Sequence, residues 1–215
     1  MSDTPSWKGT GMCIYSQNVN RKYIFTSTLL EELRDLYDIL LFQELPWQTV
    51  RHTTSMKSKK GEPVKGLPLH PHWIPIVLKA IDARIDHPHV MAYVHRNLRV
   101  LKPKNHTDIM NHPDVLLLTF KGPSGPLNVL NIYSDPSTHG GIQLLQDCAG
   151  TFPEIGYMGG DFNCCSRLWN NSLTHTSGQA EKLYATVIKL GLEVQLGNVR
   201  TPHSLSLQWG ATLCY

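Results

Sequence analysis

A chain of 215 residues, 41% hydrophobic and 17% charged, has enough apolar material for a packed domain, which argues against a disordered or low-complexity protein. Its net charge of +3 permits a polyanionic partner without arguing for one, since no dense Lys/Arg block stands behind it. Met1 to Gly11 is polar and no apolar run is long enough to cross a bilayer, so an intracellular protein without signal peptide or membrane anchor is expected. The five cysteines are irregularly spaced, with Cys164 and Cys165 adjacent, which suits a reducing compartment better than a disulfide framework.

Residues 1–10 read as a tail and 11–215 as one domain. Within it, Gly11 to Asn20 reads as a strand that delivers Gln17, Asn18 and Asn20 to its end. Tyr23 to Tyr37 places Phe25, Leu29, Leu30, Leu33 and Leu36 at helical spacing, with Glu31, Glu32, Arg34 and Asp35 off the stripe. Asp38 to Glu44 is a nearly continuous apolar run ending in a carboxylate, the pattern of a strand buried on both faces; Pro46 then stops it. Arg51 to Pro75 is rich in Lys, Ser, Gly, His and Pro and predicts a long loop, with Lys57, Lys59, Lys60 and Lys65 as a solvated basic run.

Strands are predicted at Ile76 to Ile81, Val90 to Val94, Val115 to Phe120 and Leu127 to Tyr133. The His-Pro-His triplets at 70–72 and 87–89 read as surface turns rather than metal ligands, because proline keeps them extended and no Cys or Asp sits at ligand spacing. A short helix is predicted over Ile142 to Cys148. Another follows over Gln179 to Leu190, with Leu183, Val187 and Leu190 facing inward, and a last strand over Leu192 to Leu196. The tail from Asn198 is irregular, with β-like character at Ala211 to Tyr215.

Gly159-Gly160-Asp161-Phe162-Asn163 is the stretch around which the rest is organised. Ile155 to Met158 is β-compatible, and two glycines then allow a tight turn. In extended geometry Asp161 and Asn163 share one face while Phe162 points into the core. A carboxylate beside an amide suits a hard cation or a phosphate. Taken alone, the stretch is equally readable as a surface turn. Four predicted strands, however, end in a polar functional residue: Asn18, Glu44, Tyr133 and the Asp161/Asn163 pair.

The ordered set QNVN, LLFQELPW, NVLNIY and MGGDFN resembles the endonuclease/exonuclease/phosphatase family with its deoxyribonuclease-like fold. NIYSD, Trp169 after GDFN and the Gly178 to Leu190 segment are similar to endonuclease domains of non-LTR (LINE-type) retrotransposons, particularly fungal ones. The resemblance implies an α+β fold, a four-layer α/β/β/α sandwich with its site at one edge. It implies Mg²⁺ (or Mn²⁺) on Glu44, with Asn18 close to the metal or the scissile phosphate. Tyr133 would contact the phosphate, Asp161 would orient the attacking water, and Asn163 would stabilise charge on the phosphoryl oxygens. DNA is the implied substrate, a reverse-transcriptase domain the implied partner within a full element, and the nucleus the implied place of action.

The sequence also departs from the family's pattern. Members carry a further aspartate strand and a terminal Ser-Asp-His-like motif, but no aspartate follows Asp161 here. The only later histidines are His175 and His203, in other contexts. The expectation is a domain incomplete at its C-terminus, its last strands missing and its turnover impaired. Three functions compete: a DNA-nicking endonuclease, a phosphatase or repair nuclease of the same fold, and a non-catalytic remnant.

Overall fold

The computed structural model describes residues 12–54, 61–78, 87–123, 125–167, 172–195 and 207–210. The first half contains β1 (Ile14–Asn18), α1 (Tyr23–Glu32), β2 (Ile39–Gln43), β3 (Gln48–Thr53), β4 (Glu62–Gly66), β5 (Trp73–Val77) and β6 (Val90–His95). A 3₁₀ turn (Arg96–Leu101) leads to β7 (Lys104–Asn105), β8 (Val115–Gly122), β9 (Gly125–Tyr133), α2 (Gly140–Cys148) and β10 (Tyr157–Asp161). The chain continues through α3 (Gly178–Lys189), β11 (Val194–Gln195) and β12 (Leu207–Gly210).

The strands form one sheet in the order β1-β2-β6-β5, a second in the order β11-β12-β10-β9-β8-β7, and a separate β3-β4 hairpin. Alternation along β2 explains how the layers stack. Ile39 and Leu41 face the second sheet and pack with Leu116, Leu118, Val129 and Tyr133. Leu40 and Phe42 face the other way and pack with Leu29 and Leu30 of α1. On the far side of the second sheet, Leu117, Leu130, Ile132 and Met158 pack with Ile142 and Leu145 of α2 and with Leu183 and Val187 of α3. Three apolar interfaces therefore separate four layers, helix, sheet, sheet and helices, as expected of an α+β sandwich. All five residues of β2 are buried, as its unbroken apolar run requires.

Pairing direction decides where the polar strand ends meet. β1 runs parallel to β2, with Asn18 opposite Gln43, and β9 runs parallel to β10, with Tyr133 opposite Asp161. β6 is antiparallel to β2 and begins beside Gln43, while β8 is antiparallel to β9 and begins beside Ile132. The ends of β1, β2, β9 and β10 and the starts of β6 and β8 thus share one rim.

Several expectations need correction. Arg51 to Pro75 is not one long loop: β3 and β4 pair within it, and β5 begins at Trp73. Every residue of β3 is exposed, so no alternation of apolar residues marked it as a strand. α1 ends at Glu32, and its buried residues are Thr26, Leu29 and Leu30, whereas Phe25 and Leu36 are exposed. Leu36 lies past the helix end, where the 3.6-residue period no longer applies. Gly159 and Gly160 make no turn but continue β10. Their smallness serves packing, since a Cβ on Gly160 would lie 2.2 Å from the Ile132 carbonyl oxygen, and one on Gly159 would lie 3.1 Å from Ser16 Oγ. Met1 to Gly11, Lys57, Lys59, Lys60, Trp169, His203 and the β-like stretch from Ala211 lie outside the described residues.

Candidate active site

β2 leaves the core after Gln43, and the next residue, Glu44, turns out with φ 50°, a left-handed conformation that a glutamate rarely adopts. The turn is held by the Arg21 N–H, which donates to the Glu44 carbonyl at 2.8 Å. Asn20, Arg21 and Asn163 also have positive φ, so strained backbone gathers at this rim. Asn163 is steadied by its N–H to Asp161 Oδ1 at 3.2 Å and by its side-chain Nδ2 to the Ser134 carbonyl at 3.0 Å. Phe162 between them is buried against the helices, as the alternation predicts.

Asn18 joins the two sheets. Its Nδ2 donates to Glu44 Oε1 at 2.7 Å and to Asp161 Oδ2 at 2.6 Å, the second bond spanning 143 residues of chain. Its Oδ1 accepts from the Asn20 N–H at 2.7 Å. Asn18 therefore presents N–H groups to the carboxylates, and acting as a metal ligand would require that oxygen to be released. Burial pushes the Asp161 carboxyl up from its ordinary range, helped by the Glu44 charge and opposed by the Asn18 and Asn163 hydrogen bonds. Burial likewise pushes the Tyr133 hydroxyl up to about 12, assisted by Glu44, Asp135 and Asp161. Asn18, Glu44, Tyr133, Asp161 and Asn163 thus stand together, and the tyrosine is a neutral donor at physiological pH.

Two carboxylates on one amide, with a buried tyrosine behind them, form a local excess of negative charge. A divalent cation bound by hard oxygen ligands would relieve it, and Mg²⁺ ordinarily takes only one or two carboxylates while keeping its waters. Glu44 and Asp161 fit that donor set. No group of three His, Cys, Asp or Glu side chains arranged to hold a metal occurs among the described residues.

Sequence reasoning missed two features of the rim. Beneath it, buried Gln43 donates through Nε2 to Asn131 Oδ1 at 2.6 Å and to Ser16 Oγ at 3.2 Å, and Asn131 Nδ2 donates to the carbonyls of Phe42 and Met91. The signal was a polar residue interrupting an apolar strand in LLFQE and in VLNIY. The other is His89, whose Nδ1 lies 2.5 Å from Asp114 Oδ1 and whose ring packs against Tyr133 at 5.5 Å. His87, of the same triplet, is exposed and stacks on Trp47.

No family model matches the chain, and no curated protein matches it. Among solved structures, the endonuclease domain of TRAS1, a telomere-specific non-LTR retrotransposon, superposes with a TM-score of 0.58 at 13% identity, over 93% of this chain and 85% of that one. The chain has the endonuclease/exonuclease/phosphatase fold. The human Nocturnin catalytic domain, solved with bound sulfate, gives a TM-score of 0.46 at 15% identity over 92% of this chain and 82% of its own. No helix among the described residues is long and apolar enough to cross a membrane. In the endonuclease/exonuclease/phosphatase fold seen here, the rim carrying Asn18, Glu44 and Asp161 draws on both sheets.

Proposed function

We propose that this chain hydrolyses phosphodiester bonds with Mg²⁺ (or Mn²⁺), as the DNA-nicking endonuclease domain of a retroelement. The observation that carries the reading is the Asn18 amide, which draws the Glu44 and Asp161 carboxylates to one point beside the Tyr133 hydroxyl. Likeness of fold to the TRAS1 endonuclease domain supports DNA as substrate, which in turn implies action in the nucleus and a reverse-transcriptase domain as partner in the full element. Exposed Arg21 and Lys22 beside the rim suit a polyanionic strand.

Glu44 would be the main protein ligand of the ion. Bound there, Mg²⁺ supplies Lewis-acid polarisation of a phosphoryl oxygen. Asn18 holds Glu44 and Asp161 in register. Asp161, with its carboxyl raised by burial, orients the attacking water and accepts its proton. Tyr133 donates its hydroxyl to a phosphate oxygen, and Asn163 donates an amide hydrogen where charge develops.

The test is relaxation of supercoiled plasmid by the purified chain in MgCl₂ and in EDTA. Nicking is expected only with the metal, and Asp161→Ala should lower it roughly 10²–10⁴-fold, the usual worth of a positioned acid–base group. Calorimetric Mn²⁺ affinity should fall in Glu44→Gln. A wild-type chain that leaves plasmid intact, or an Asp161→Ala variant as active as wild type, removes this reading.

A further inference from the structure

We propose that the β3–β4 ribbon is a docking arm for duplex DNA, gripping the double helix within one turn of the bond cut at the rim. The proposal rests on the hydrolytic reading above and adds to it the form of the substrate. Among the described residues, β3 and β4 pair only with each other and belong to neither sheet of the sandwich. All six residues of β3 are exposed, as are Glu62, Pro63 and Lys65 of β4. A two-stranded ribbon without a packed face is marginal in water by itself.

This ribbon is secured at its turn and at both roots. Gly61 has φ 70°, and a Cβ there would lie 1.8 Å from the Thr53 carbonyl oxygen. On the leading side Leu45 is buried, and Trp47 Nε1 donates to the Pro88 carbonyl at 3.0 Å. On the return side Leu67 is buried, and the Tyr93 hydroxyl donates to the Pro68 carbonyl at 2.6 Å. Leu45 and Leu67 enter the same apolar cluster as Phe42, so the ribbon is fixed to the strand that presents Glu44.

Charge says what the ribbon meets. Residues 48–66 hold five of the chain's 20 Lys and Arg but one of its 17 Asp and Glu. Without that segment the net charge of +3 becomes −1, so the positive character of the chain is concentrated here. Arg51 and Lys65 are exposed and form no ion pair among the described residues. The register shift between Thr49 and Arg51 sets Lys65 opposite Thr49 and Arg51 opposite Val64. Opposed residues share a face and successive ones alternate, so Arg51 and Lys65 stand on opposite faces. A flat anionic surface would be met from one face. Cations on both faces suit a slot with phosphate on both walls, and the major groove of B-DNA, about 12 Å wide, admits a two-stranded ribbon.

Reach agrees with that occupant. Arg51 follows Glu44 by seven residues. A fully extended chain spans ~3.3–3.6 Å per residue, so the two lie no farther apart than roughly 25 Å. One turn of B-DNA is about 34 Å long, so a duplex is long enough to engage rim and ribbon together. A mononucleotide is not.

The experiment titrates a fluorescein-labelled 30-base-pair duplex with the full chain in EDTA, over about 50–200 mM KCl. Each phosphate contact contributes about 0.9 to the slope of log K against log salt. Arg51→Gln/Lys65→Gln should therefore flatten the slope by about 2. Lys182→Gln/Lys189→Gln, which removes the same charge from exposed positions on α3, should leave it unchanged. In MgCl₂ the ribbon variant should nick plasmid with raised KM and unchanged kcat. It should hydrolyse thymidine 5′-p-nitrophenyl phosphate like wild type, because that ester reaches the rim alone. An unchanged slope in the ribbon variant, an equal loss in the α3 variant, or a wild type that binds no duplex overturns the proposal. A loss on the nitrophenyl ester as large as that on plasmid overturns it too, since the ribbon would then support the rim and not the duplex. A wild type that binds duplex through the ribbon yet cuts neither ester removes the hydrolytic reading and leaves the docking arm standing.

Discussion

Gln43 Nε2 donates to Asn131 Oδ1 at 2.6 Å across the middle of the sandwich, one residue below Glu44 and two below Tyr133. An apolar interface between sheets tolerates sliding, whereas a directional bond between β2 and β9 fixes their relative height. The rim above depends on that height, because Asn18 must reach one carboxylate on each sheet.

Asn131→Leu should therefore cost both stability and function. The variant takes the Asn131 donor from the carbonyls of Phe42 and Met91 and the Asn131 acceptor from Gln43 Nε2, which keeps Ser16 Oγ and the Leu41 carbonyl. A buried polar group that loses its partner costs about 1–3 kcal/mol, so urea unfolding should show a loss of at least that order. Nicking by the folded fraction should fall as well, since the carboxylates lose their register.

Asp161 carries a linkage consequence. Its folded pKa is raised, chiefly by burial, so the ionised form is penalised in the folded state. The stability it permits is full below the ordinary aspartate pKa of about 4 and is lost as pH rises through the folded value. In EDTA at neutral pH, Asp161→Asn should accordingly raise the melting temperature, and that advantage should vanish at pH 3. Calorimetry at the two pH values checks the sign. An Asp161→Asn protein that melts lower at pH 7 contradicts it.

Tyr133→Phe separates packing from hydrogen bonding. The ring is buried between the sheets, and phenylalanine keeps that contact, so stability should change by less than about 1 kcal/mol. Turnover should drop roughly 10²–10³-fold, the typical effect of removing one donor aimed at developing charge. Steady-state nicking should show the loss mainly in kcat.

Much of this arrangement was legible in the chain because burial writes itself in composition. The run ILLF before Gln43 reads as a strand covered on both faces, with Glu44 at its end. Asn18, Tyr133 and Asp161 also close predicted strands, but the ordered motifs that resemble the endonuclease/exonuclease/phosphatase family, rather than burial, singled them out. The β3–β4 hairpin was not, because a ribbon exposed on both faces leaves no alternation to read. The glycines of β10 were misread because a turn and a tight strand contact both demand a missing Cβ, and only the neighbouring backbone distinguishes them. His89 was hidden by its place in a proline triplet, since its partner Asp114 lies 25 residues away.

Gly160→Ala tests that distinction directly. A methyl at that position would overlap the Ile132 carbonyl, so β9 and β10 must separate to admit it. Overpacking of this kind costs roughly 1–3 kcal/mol, and here it also moves Asp161 away from Asn18. The expected result is a lower urea midpoint together with weaker Mn²⁺ binding. A serine or alanine there without effect would mean the strands are farther apart than described.

The 143-residue span of the Asn18–Asp161 bond has a kinetic meaning. A contact between chain segments so distant forms against a loop-closure entropy that local structure does not face, and such pairings are made slowly. α1, α2 and the hairpin β8-β9 need no such closure. Diluted from denaturant, the chain should regain far-UV ellipticity before it regains any capacity to bind Mn²⁺ at Glu44. On the proposed function the two carboxylates would act as a built-in clock for folding, since the cation site would be complete only in molecules in which the first strand has found the tenth.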